Sequence, residues 1–392
     1  MPRPHAAALV EDTYHGWIAG SLRERGWRTR IVPFTGYGSV AQLRVLARVL
    51  VTRASAVDEP EDMTYAGRLR AVELETRGWR AFLGAPAMDE KVTVRVNERL
   101  IPTRTDRGGY IDLTVRGHGL RPGWHQIYLS SPDAEPIEVP VLVVGTTQTH
   151  GIISDIDDTV LSTSLPRPLI AGWNTFIKAE GTRRPVSGMA TLYRELLASQ
   201  PGAPVVYLST GAWNTQPLLT RFLRRNGYPA GPMLLTDWGP TNTGWFRSGQ
   251  QHKQASLHRL ARELPHIRWL LVGDDGQHDP TLYSDFAAKR PDRVRGIAIR
   301  ELSAGEQVLS HGVPVAIDDL TSDEGTRLEV PVVRATDGYG LARGVRQLWT
   351  GEPRHSSLAV RSSAAFVSTD DQAADASTDD PPADPVPHPD ER

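Results

Sequence analysis

The sequence predicts a mixed α/β protein: a parallel β-sheet with helices on both faces, preceded by a helix and a β-sandwich-like domain. Three observations lead there. Beyond Gly145, short apolar runs alternate with stretches of helical period, which implies parallel strands joined by crossover helices. Between about Trp27 and Gly145, apolar residues instead recur at every second position, as in half-buried antiparallel strands. The chain, at 392 residues, is also long for one ordinary domain.

Residues 1–26 are read as an N-terminal helix, with Leu9, Ile18 and Leu22 loosely spaced among alanines and charges. Residues 27–146 form the sandwich-like domain. Its strands are marked by Val92, Val94 and Val96, by Ile111, Leu113 and Val115, by Ile127 and Leu129, and by Ile137 and Val139. Arg107-Gly108-Gly109, Arg121-Pro122-Gly123 and Ser131-Pro132-Asp133 supply the turns. Residues 147–351 form the parallel-sheet domain, with strands expected at 151–154, 205–209, 233–235, 269–272, 294–299 and near 329–333. Its helices are expected near 188–199, 216–226, 252–263, 280–289 and 341–348. Residues 352–392 are dominated by Ser, Asp, Ala and Pro. They carry too little apolar surface to offset their ordering entropy and are predicted to be a disordered tail.

Composition excludes several classes of function. The net charge of -2, from 44 basic and 46 acidic residues, gives no general attraction for nucleic acid, and none is expected as a partner. Cysteine is absent, which removes disulfides, thiolate catalysis and cysteine-based zinc sites. No apolar run reaches the roughly 18 residues of a membrane span, and residues 1–17 lack an apolar core of signal-peptide type. The expectation is a soluble, cytoplasmic protein that can act at the membrane periphery.

The chemistry concentrates at predicted strand ends, where parallel sheets bind ligands. Gly151-Ile152-Ile153-Ser154 leads directly into Asp155-Ile156-Asp157-Asp158-Thr159. Ser209 and Thr210 close the second strand, Lys253 opens a helix, and Asp274, Asp275 and Asp279 follow Leu270-Leu271-Val272-Gly273. Asp155 suits a carboxylate nucleophile that forms an aspartyl phosphate, and Asp157 suits the acid and base of the two half-reactions. Carboxylates repel a phosphate dianion, so a hard cation such as Mg²⁺ is expected. Asp155, Asp157 through its carbonyl, Asp274 and Asp279 are its candidate ligands, with Asp275 an alternative to Asp279 in orienting bound water. Thr159, Ser209, Thr210 and Lys253 are the candidate phosphate contacts.

Plainer readings compete. An EF-hand loop is disfavoured, because Val160 and Pro166 stand where glycine and a bidentate glutamate are needed. The Asp run alone could be a turn or helix cap. Lys178 competes with Lys253, and Thr210 serves equally well as a turn residue. His252, His258, His266 and His278 lack metal-ligand spacing.

The ordered set Asp155-Ile156-Asp157-Asp158-Thr159, Ser209, Lys253 and Gly273-Asp274 resembles the motifs of the haloacid dehalogenase superfamily. Three longer strings resemble, within it, the catalytic domain of the actin-patch-associated phosphatidate phosphatase family. They begin at Gly151-Ile152-Ile153-Ser154, at Gly231-Pro232-Met233-Leu234-Leu235 and at Gly273-Asp274-Asp275-Gly276-Gln277-His278. The likeness covers residues 150–300. It implies a Rossmann-like haloacid dehalogenase-type sheet and Mg²⁺-dependent hydrolysis of phosphatidate to diacylglycerol, with a phospholipid at a membrane surface as partner. Asp155 is then nucleophile, Asp157 acid and base, Ser209 and Lys253 phosphate partners, and Asp274 a metal ligand supported by Asp279. Ser209-Thr210-Gly211-Ala212-Trp213-Asn214 departs from the family's Ser-rich, Pro-Trp-Asn loop, and Asp275 stands where Ser is common.

Only short insertions separate the motifs, so a large cap domain is not expected. Trp173, Phe176, Trp238, Trp245 and Phe246 fall in the flanking loops and are candidates to rest on a lipid interface, or simply to pack those loops. The alternatives are a phosphatase for another bulky phosphoester, a phosphoprotein or nucleic-acid end, and a binding protein whose sandwich recruits a partner.

Overall fold

A computed structural model describes residues 21–53, 84–163, 183–236, 249–276, 278–303, 305–307 and 330–351. Most of the predicted N-terminal helix, the acidic tail and the five loop aromatics lie outside these residues. Of the helix, 21–24 are seen and are helical.

Eight strands precede the parallel sheet: β1 (Trp27–Ser39), β2 (Gln42–Arg53), β3 (Ala85–Pro86), β4 (Lys91–Val96), β5 (Arg99–Arg104), β6 (Tyr110–Arg116), β7 (Gly123–Ser131) and β8 (Ala134–Val144). They form one hydrogen-bonded sheet in the order β3-β2-β1-β8-β7-β4-β5, with β6 also paired to β2. The sequence pointed to a sandwich of antiparallel strands. The structure instead curls a single sheet around its own core, and β1 runs parallel to β8. Val92, Val94, Val96, Ile127, Leu129, Val139, Val141 and Val143 face inward, and their period-two spacing is what the sequence displays.

β1, β2 and β8 are apolar on both faces. Val45, Ala47, Val49 and Val51 of β2 join the inner core, whereas Leu46 and Leu50 point the other way. With Val32, Phe34, Tyr37, Leu142 and Val144, these outward residues share one apolar core with the parallel-sheet half of the chain.

That half contains β9 (His150–Ser154), the pair β10 (Leu161–Thr163) and β11 (Arg183–Pro185), then α1 (Met189–Ser199) and β12 (Val205–Ala212). It continues through α2 (Gln216–Arg225), β13 (Met233–Thr236), α3 (Gly249–Glu263) and β14 (Arg268–Asp274). The last elements are α4 (Asp279–Lys289), β15 (Val294–Arg300), β16 (Val332–Ala335) and α5 (Gly338–Thr350). The sheet order is β13-β12-β9-β14-β15-β16, and every pairing is parallel. From β9 the chain steps outward through β12 to β13, then returns to β14 on the other side of β9. Right-handed crossovers in opposite directions put α1 and α4 on opposite faces. α1 packs with α5, and α3 with α4. The strand order reverses between β9 and β14, which opens a crevice at their carboxyl ends.

Candidate active site

Asp155 follows β9 at that crevice, and its N–H donates to the Val272 carbonyl at 2.9 Å, so it extends the β9–β14 ladder. Asp274 ends β14, the neighbouring strand. Helix α4 starts at Asp279, and its buried residues Asp279, Tyr283, Phe286 and Ala287 recur at helical spacing, so the carboxylate lies on the apolar stripe facing the sheet. Gly273 makes this approach possible. A Cβ there would stand 2.7 Å from Asp279 Oδ2 and 2.8 Å from Tyr283 Cε2.

Lys253 belongs to a similar stripe on α3, with Ser256, Leu257 and Leu260. It is 3% exposed, and its Nζ lies 2.5 Å from Asp155 Oδ1 and 2.6 Å from Asp279 Oδ1. Burial disfavours the ammonium, but the charges of Asp155 and Asp279 outweigh this and hold the Lys253 pKa above its ordinary value.

Carboxylate oxygens of Asp155, Asp274 and Asp279 lie within 4.8 Å of one another. Burial pushes the Asp155 pKa well above the usual carboxylate range; Lys253 opposes the shift, and Asp279 and Asp157 add to it. Asp274 is raised by burial and by the charges of Asp279 and Asp155. Oδ2 of each of the three is buried and has no hydrogen-bond partner among the described residues. Leaving such atoms unpaired is costly. Three carboxylates against one ammonium leave an excess of two negative charges, and oxygen donors of this kind suit a hard divalent cation. The residues therefore fit the metal that the sequence implies.

Asp157 does not join this cluster. Its Oδ2 accepts a 3.0 Å hydrogen bond from Ser209 Oγ, which in turn accepts from the Gly211 N–H at 2.9 Å. The Ser209 loop is fastened from β13, where Thr236 Oγ1 donates to the carbonyls of Thr210 and Gly211 at 2.7 and 3.2 Å. Thr210 turns its Cγ2 towards Gly249 at the start of α3, where an added Cβ would approach to 2.6 Å. Thr159 Oγ1 is buried and without a partner among the described residues. Asp275 is oriented by the Leu302 N–H, which donates to its Oδ1 at 2.8 Å.

The structure thus brings together Asp155, Lys253, Asp274 and Asp279, and separately pairs Asp157 with Ser209. Sequence reasoning passed over Arg300 and Glu306, which are linked by a 2.6 Å ion pair beside the Asp157 turn. The available signal was an arginine closing the apolar run Gly296-Ile297-Ala298-Ile299, one strand from Asp274.

Residues 150–301 match the family model of the catalytic domain of phosphatidate phosphatase APP1. An uncharacterized protein of Schizosaccharomyces pombe is 29% identical over 167 residues, 42% of this chain and 27% of that one. Phosphatidate phosphatase APP1 of Saccharomyces cerevisiae is 26% identical over 151 residues, 38% of this chain and 25% of that protein. The chain therefore spans about a quarter of the length of these relatives. Among solved structures, a carbohydrate acetylesterase from Xanthomonas citri aligns with a TM-score of 0.27 and 11% identity, over 83% of this chain and 76% of that one. That similarity is too low to indicate a fold.

Proposed function

From the premise that residues 150–301 carry a catalytic domain of the phosphatidate phosphatase family, a family of phosphoric monoester hydrolases, we propose a Mg²⁺-dependent phosphatase that works through an aspartyl phosphate. The observation that carries this reading is the Asp155 carboxylate, buried, held by Lys253 at 2.5 Å and flanked by Asp274 and Asp279. In this reading the doubly wound sheet is the Rossmann-like scaffold of the haloacid dehalogenase superfamily.

Asp155 attacks phosphorus, and the bond from phosphorus to the ester oxygen breaks. Asp157 gives its proton to the departing alkoxide. It then takes a proton from the water that attacks the aspartyl phosphate, which releases inorganic phosphate and restores the Asp155 carboxylate and the protonated Asp157. Ser209 orients Asp157 through their 3.0 Å hydrogen bond and would contact a phosphoryl oxygen in the complex. Thr159 and Thr210 complete the polar surround. Lys253 favours the ionised form of Asp155 and offsets phosphate charge. Asp155, Asp274 and Asp279 would hold the Mg²⁺ with the Asp157 carbonyl, and the ion when bound supplies positive charge against the phosphate dianion.

Phosphatidate is the substrate that the family relationship favours, with diacylglycerol as product. Among the described residues no helix is long and apolar enough to cross a bilayer. The test is phosphate release from phosphatidate in mixed micelles and from soluble phosphomonoesters, with Mg²⁺ and after chelation. Wild type should release phosphate only with the cation and prefer phosphatidate, and Asp155→Asn should lose turnover by about 10³-fold or more. Activity retained by Asp155→Asn would exclude the aspartyl-phosphate route, and a preference for soluble esters would exclude the lipid substrate.

A further inference from the structure

Arg300 ends β15 with a buried side chain, each of whose three nitrogens donates a hydrogen bond. Its Nη1 donates to the Asp158 carbonyl at 2.7 Å, its Nε to the Thr336 carbonyl at 3.1 Å, and its Nη2 to Glu306 Oε1 at 2.6 Å. The first contact falls on the peptide that joins Asp158 to Thr159, one residue beyond Asp157. There the chain is in a conformation that a residue with a side chain seldom adopts, because Asp158 has φ of +57°. Such a turn persists only when its surroundings hold it.

The main chain of Arg300 reaches the other side of the crevice. Its carbonyl accepts from the Asp275 N–H at 3.0 Å, and two residues later the Leu302 N–H donates to Asp275 Oδ1 at 2.8 Å. One residue is thereby fastened to the peptide that follows Asp158, next to Asp157, and to the peptide that directly follows Asp274. Glu306 holds the guanidinium in place. It also accepts from Ser162 Oγ at 3.0 Å and from the Ser303 N–H and Oγ at 2.9 Å each.

We propose that Arg300 is a positioning residue that sets the Asp157 carboxyl against the departing oxygen by clamping the Asp158 peptide to the Asp275 loop. This rests on the phosphatase reading above. The planar guanidinium serves three acceptors in different directions from one rigid fork, which a lysine ammonium on a flexible stem does not reproduce. The Arg300 side chain bonds to Thr336, Asp158 and Glu306 and not to Asp155, Asp157, Asp274 or Asp279. Its influence is on proton delivery.

That placement has a signature that general loosening of the fold would not produce. An alkyl phosphate needs its departing oxygen protonated, whereas p-nitrophenyl phosphate leaves as a stabilised anion and needs little help from Asp157. The experiment is kcat/KM for an alkyl phosphate and for p-nitrophenyl phosphate, measured with wild type and Arg300→Lys, alongside Mg²⁺ affinity by calorimetry. Arg300→Lys should lose about 10- to 100-fold on the alkyl ester and less than threefold on the nitrophenyl ester, with Mg²⁺ affinity unchanged within threefold. Glu306→Gln, which keeps Arg300 but removes its charged partner, is the milder variant and carries the same test if Arg300→Lys does not fold. Equal losses on both esters, or no loss on either, would overturn the positioning role. Failure of wild type to hydrolyse phosphatidate as well as both esters would instead overturn the phosphatase reading.

Discussion

Asp155 has to be both buried and nucleophilic, and these demands conflict. A buried carboxylate tends to hold its proton, yet only the ionised form attacks phosphorus. Lys253 works against the protonated form by placing an ammonium 2.5 Å from Asp155 Oδ1 and 2.6 Å from Asp279 Oδ1. Removing that charge should separate two properties of the site. Lys253→Met leaves Asp155, Asp274 and Asp279 with no internal cation, so their attraction for a divalent ion grows while the nucleophile and phosphate lose their partner. The expected outcome is Mg²⁺ binding at least as tight as wild type by calorimetry, with phosphate release reduced by about 10²-fold or more. A lysine that served only the fold would lose both together. The metal-free variant should also melt earlier than wild type, because breaking a buried pair by deleting one partner is strongly destabilising, and Mg²⁺ should restore part of the difference.

The turn after Asp157, the end of β15 and the short helical turn at 305–307 meet at Glu306, and their coupling should be visible in acid. Partial burial works against the Glu306 carboxylate, but hydrogen bonds from Arg300 and Ser303, together with the Arg300 charge, outweigh it and bring its pKa down to about 2. A depressed folded pKa means the unfolded chain binds more protons in this range. The stabilisation is therefore complete above the ordinary glutamate value of 4.5 and is lost as pH falls through about 2. Melting curves between pH 6 and roughly pH 2 should show wild type more stable than Glu306→Gln at the upper end, with the gap closing as the group protonates. A gap independent of pH would mean that the ion pair contributes nothing. The Glu306 linkage was not legible in the sequence, since a side chain reaching back to the end of β15 leaves no periodic trace. Other parts of this region were legible. β9, β12, β13, β14 and β15 are short runs buried on both faces and bounded by turn residues, and α1 to α4 show apolar stripes, so their order could be read directly. Asp155, Asp274 and Asp279 were legible because strand ends and a helix start fix them relative to the backbone. The pairing of Asp157 with Ser209, rather than with the acidic cluster, depends on side-chain direction and became visible only in three dimensions.

The curled sheet was the harder half to read, and the reason explains its relation to the site. In β4, β6 and β7 one face meets the core and the other remains open, so the sequence alternates cleanly. In β1, β2 and β8 the second face is covered by the parallel-sheet half, so alternation gives way to runs such as Val49-Leu50-Val51 and Val141-Leu142-Val143-Val144. That covered face reaches both elements that carry phosphate partners. Phe34 stacks on Trp213 with ring centroids 4.3 Å apart and planes inclined by 22°, and Trp213 follows the Ser209 loop directly. Tyr37 donates to Glu263 at the far end of α3, the helix of Lys253, while Arg44 and Arg259 share Asp112 across the same junction. The candidate cation ligands Asp274 and Asp279 sit instead on β14 and at the start of α4, and these contacts do not reach them. The two sides of the crevice should consequently respond differently to damage at the junction. Phe34→Ala removes a buried ring, at a cost of about 3–5 kcal/mol in stability, and leaves Trp213 without its stacking partner. Below the melting transition, Mg²⁺ affinity should stay within about twofold of wild type, while inhibition by orthovanadate, a phosphate mimic, should weaken by about threefold or more. Unchanged vanadate inhibition in a destabilised but folded variant would reduce the junction to packing alone. A parallel loss of Mg²⁺ binding would show that the curled sheet supports the whole crevice rather than its phosphate side.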